Sequence, residues 1–100
     1  MKTKSERIEA VKIVCDAWLN AIDDVVQAIR KYYDARSEYQ DVIVKVTEGW
    51  MRERNIEQEK AKVGESNALE EVKQEYHEMT AMQLAVKAKI DELNAIKFAY

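Results

Sequence analysis

The chain has 100 residues, no proline, two glycines and 35% charged side chains, which excludes collagen-like, mucin-like and proline-rich disordered classes. Sixteen Lys plus Arg stand against 19 Asp plus Glu, a net charge of -3 with no long basic block. Nucleic acid is therefore not an expected partner, because neutralising phosphates needs a concentrated positive face. Apolar runs of at most four residues leave no expectation of a membrane span or a signal-peptide core. A lone cysteine, Cys15, and the lack of an Asn-x-Ser/Thr sequon make the cytoplasm the expected compartment.

The first predicted element is a long helix over about residues 4–50, with a possible extension toward 63. Thr3 followed by Glu6 has the spacing of a capping box, in which side chains satisfy the unpaired N–H groups of a helix start. Steps of three and four from Ile8 give Val11, Cys15, Trp18, Ile22, Val25, Ile29, Tyr32, Arg36, Tyr39, Ile43, Val46 and Trp50, all apolar except Arg36. Such a sustained heptad pattern implies one helix with a continuous seam.

Residues 51–66 carry four positive and four negative charges and no seam, which marks them as a charged hairpin tip. A second helix follows over about 67–100. Asn67 and Glu70 have capping-box spacing, and Gly64 upstream suits a helix terminator. Its seam runs through Leu69, Val72, Tyr76, Met79, Gln83, Val86, Ile90, Leu93 and Lys97. In an antiparallel pair, setting Ile43 level with Val72 and Tyr39 with Tyr76 centres the turn near residues 57 and 58. The next register centres it on Ala61. A main turn at Gly49 is rejected on this reading, because it would lay the charged stretch against Ile29 to Val46 at a high burial cost.

The expected fold is thus all-α, a single domain built as a long antiparallel helical hairpin with heptad seams. Val14, Ala21, Ala28, Ala35 and Val42 flank the first seam on one side, and Leu19, Val26 and Tyr33 on the other. That apolar face is wider than one partner helix covers. A homodimer forming a four-helix bundle is the economical way to close it. Arg36, Gln83 and Lys97 interrupt the seams as long side chains able to reach solvent. Cys15 reads as a small buried hydrophobe.

Catalytic patterns are missing from the sequence. His77 is preceded by Gln74 where a helical di-iron site needs Glu, and the seams hold no carboxylate. Cys15 and His77 fall on different helices, with His77 on the outer face, so they do not form a nucleophile and base. No enzymatic activity, metal or cofactor is expected. The chain's size invites comparison with the helical-hairpin substrates of type VII secretion, but Gly49-Trp50 reverses their Trp-x-Gly turn and no acidic residue follows a tyrosine at four.

What remains is a protein-binding protein. The first reading is an adaptor or inhibitor of the regulatory or phage-encoded type, which meets its partner through the acidic surface of Glu70, Glu71, Glu75, Glu78 and Glu92. The alternatives are a secretion-system chaperone or subunit whose seam a partner helix completes, and a structural protein that assembles through Leu84 and Phe98.

Overall fold

A computed structural model describes residues 3–49 and 54–99, and among them the only regular structure is two helices, α1 (Lys4–Thr47) and α2 (Arg54–Ala99). The all-α expectation is met. Helix α1 starts where the capping spacing placed it: the Glu6 N–H donates to Thr3 Oγ1 at 3.2 Å, and the Arg7 N–H donates to the Thr3 carbonyl at 3.1 Å. The hydroxyl half of the box therefore satisfies an N–H that the helix leaves open.

The other end of α1 corrects the sequence reading. Gly49 has φ of +76°, and its N–H donates to the Val46 carbonyl at 3.1 Å. These are the left-handed residue and the inner hydrogen bond of a Schellman cap, so Gly49 ends the helix and opens the turn. Gly64 and Asn67, read as terminator and cap, lie instead inside α2. Residues 54–66 are helical rather than a charged tip. The seam position Trp50 lies outside the described residues.

The described residues group into two compact units, one of Met1–Asp24 with Glu75–Tyr100 and one of Val25–Gln74. In the Val25–Gln74 unit the end of α1 runs antiparallel to the start of α2. Lys31 Nζ lies 3.2 Å from Glu71 Oε1, and Ala35 and Val42 line a groove with Glu57, Ala61 and Gly64. This register differs from the expected one, which set Glu71 beside Val44. The burial objection to a turn at Gly49 fails because most charges of this stretch stay at solvent, and among those described only Glu65 is half-buried. Gln58, Ala61, Glu65 and Ala68 recur at heptad spacing and are half-buried, while Glu57, Glu59, Lys60 and Lys62 stay exposed. Val25, Ala28 and Val42 form the core of this unit.

In the other unit the start of α1 runs antiparallel to the end of α2. Arg7 and Ala10 lie beside Lys89, Glu92 and Leu93, and Trp18 beside Val86 and Ile90. Ala21 and Val86 are its buried residues. Both cores are thin, because a pair of helices has only one contact line along which to bury side chains.

Candidate interaction surface

The seams lie one row away from where the heptads placed them. Both helices keep half of the expected positions at the contact: Trp18, Val25, Tyr32, Tyr39 and Val46 on α1, and Val72, Met79, Val86 and Leu93 on α2, are buried or half-buried. The other half is replaced by the neighbouring row. On α1 the inward residues are Val14, Ala21, Ala28, Ala35 and Val42, and on α2 they are Ala61, Ala68, Glu75, Met82 and Lys89. The alanines of these rows, Ala21, Ala28 and Ala35 on α1 and Ala61 and Ala68 on α2, let two backbones approach closely there, which raises the number of dispersion contacts made by a thin interface.

The displaced row carries the larger side chains. Ile8, Ile29 and Ile43 on α1, and Leu69, Tyr76 and Ile90 on α2, were expected in the core of a seam and are exposed in the chain as it stands, Ile8 by 53% and Tyr76 by 57%. Cys15 and Ile22 in the same row are half-buried. Each of these residues follows an inward one by a single step. One residue advances about 100° around a helix, and because the paired segments run antiparallel, within each unit that step turns both rows toward the same side of its helix pair.

That side is best formed in the unit of Met1–Asp24 with Glu75–Tyr100. Trp18 of α1 and Gln83, Leu84, Val86, Lys87 and Ile90 of α2 line an open, mainly apolar groove of about 530 Å³. Leu84 in this groove is 62% exposed, and Leu19, next in sequence to Trp18, is 59% exposed. The Trp18 indole N–H in its wall is buried without an acceptor, a loss of about 1–3 kcal/mol for an unpaired buried donor. Sequence reasoning placed Trp18 and Ile90 in seams and Leu84 off them, and missed that they meet. The alanine strip is the signal that could have shown it, since small residues mark the side where two helices come closest.

The acidic residues have a different setting. Glu71 faces Lys31, Glu70 lies 3.3 Å from Lys73, and Glu92 lies 3.4 Å from Lys89. Glu75 is half-buried in the inward row and Glu78 is exposed. Glu70, Glu71 and Glu92 thus each have a lysine beside them, which cuts the field they project. The Phe98 side chain lies outside the described residues, as does that of Lys97.

Groups with chemical potential are scattered. Cys15 is a free, half-buried thiol on α1, and His77 is exposed on α2. Among the described residues no group of three His, Cys, Asp or Glu is placed to hold a metal ion. Neither helix has a described stretch long and apolar enough to cross a membrane. No family model matches the chain, and no curated protein or solved structure does.

Proposed function

We propose that this chain is a non-enzymatic protein-interaction module, of the adaptor or inhibitor kind, that works by docking further helices on the apolar side of its helix pair. The observation that supports it is the displaced row. Residues of core size, Ile8, Tyr76 and Ile90, with Leu19 and Leu84, stand at solvent while alanines occupy the contact. Apolar surface concentrated in this way marks an association site, and a four-helix bundle is the architecture that closes it. The docked surface is apolar rather than acidic, because Glu70, Glu71 and Glu92 already have lysine neighbours. Cytoplasmic action fits a single unpaired cysteine.

Photo-cross-linking in the native cell tests this reading, with the reactive amino acid placed at Leu84, at Glu78 or at Ile13. The expected result is a discrete adduct from position 84 only. Adducts from position 78 alone would transfer the function to the acidic surface. Absence of any adduct from 84 would remove the docking side altogether.

A further inference from the structure

We propose that the occupant of this apolar side is a second copy of the same chain, docked on the unit of Met1–Asp24 with Glu75–Tyr100 to give a four-helix core. The inference rests on the docking side argued above and adds the identity of its partner.

The surface area argues first. The chain leaves 7973 Å² accessible, whereas a compact monomer of its 11.7 kDa mass leaves roughly 5,900 Å². The excess, roughly 2,100 Å², is more than twice the roughly 800 Å² that a standard interface removes from each partner, so one such interface fits within it. Ile8, Leu19, Tyr76, Leu84 and Ile90 are each about half exposed, so together they offer on the order of 500 Å² of apolar area. That is enough to form the dry centre of such an interface. A lone pair of helices with so few buried side chains gains in stability from a copy that brings the same apolar row, because isologous docking doubles every contact.

The charges argue for a copy rather than an unlike partner. Lys87 lies in the groove, and the same stretches of α1 and α2 carry exposed Lys12, Asp16, Asp23 and Asp91. Because these stretches carry both signs, a symmetry mate can set its lysines against the aspartates of the first chain, whereas like charges facing each other would oppose docking. The five apolar residues at the centre bring no charge of their own.

Sedimentation equilibrium of the purified full chain over a hundredfold concentration range tests the proposal, with helicity measured on each sample. Four proteins are compared: the unchanged chain, Leu84→Glu, the milder Leu84→Asn, and Ile13→Glu. Ile13 is an exposed apolar residue of the same unit that does not line the groove. The unchanged chain and Ile13→Glu are expected at twice 11.7 kDa. Leu84→Glu is expected near the single mass with its helicity kept, and Leu84→Asn is expected to dissociate roughly tenfold more readily, as loss of an interface anchor does. A helical monomer in the unchanged chain would overturn the second copy, and so would an unfolded or aggregating chain. In either case an adduct from position 84 to another protein keeps the docking side, whereas its absence removes both. A dimer that Leu84→Glu leaves intact, or that Ile13→Glu breaks equally, would also overturn the proposal by placing the contact elsewhere.

Discussion

Two neighbouring rows of each helix, one residue apart, have opposite fates. On α1, Ala28 is 2% exposed and Ile29 is 37% exposed; on α2, Ala68 is half-buried and Leu69 is exposed. Hydrophobicity alone would reverse these assignments, since isoleucine and leucine gain more from burial than alanine does. Close backbone approach decides the contact within the chain, and the larger residues are left for contacts beyond it.

Substitutions that upset this sorting should have the largest effects. Ala28→Leu puts a bulky side chain at a position that is only 2% exposed, and it is expected to destabilise the chain by about 2–3 kcal/mol through overpacking. Thermal unfolding should register this as a drop of roughly 10 °C or more in Tm, given about 4–8 °C per kcal/mol at this size. Shortening the buried Val86 to Ala removes less, about 1–2 kcal/mol in urea unfolding. The matched change at the exposed Ile13 should stay within about 0.5 kcal/mol.

The glycines provide a finer contrast. Gly49 holds φ of +76° at the cap of α1, so Gly49→Ala is expected to cost about 1 kcal/mol although its added Cβ meets nothing within 4 Å. Gly64 is inside α2, and a Cβ there also meets nothing within 4 Å. Gly64→Ala should therefore stabilise by about 0.4–1 kcal/mol, through helix propensity and a less flexible unfolded chain. Equilibrium urea denaturation of the two variants gives the opposite signs directly. The smallest effect belongs to Lys31→Ala: both partners of its pair with Glu71 are substantially exposed, so the loss should be under about 0.5 kcal/mol and smaller still in high salt.

The long helices were legible in the heptads and in the Thr3 cap, because periodicity and capping are local. So were the shared seam positions, from Trp18 to Val46 on α1 and Val72 to Leu93 on α2. The register was not. It depends on whether residues 54–66 can form a contact line, and the mixed charges of that stretch hid the half-buried series Gln58, Ala61, Glu65 and Ala68. The displaced row was obscured for a related reason. Trp18, Val25 and Tyr32 fit equally well with the isoleucine row on one side or the alanine row on the other, and only the distance of closest approach separates the two. The groove at Leu84 depends on that choice and was invisible without it.

The register in which the small-residue rows meet is tested most directly by cysteine cross-linking within one chain, in a Cys15→Ser background with a short bifunctional maleimide. One variant carries Lys31→Cys with Glu71→Cys, the pair that lies level in the structure. A second carries Ile43→Cys with Val72→Cys, the pair expected level from the heptads. Efficient intrachain cross-linking of the first variant and none of the second is the predicted result. Cross-linking of the second variant alone would contradict the alanine contact and return the isoleucine row to the core.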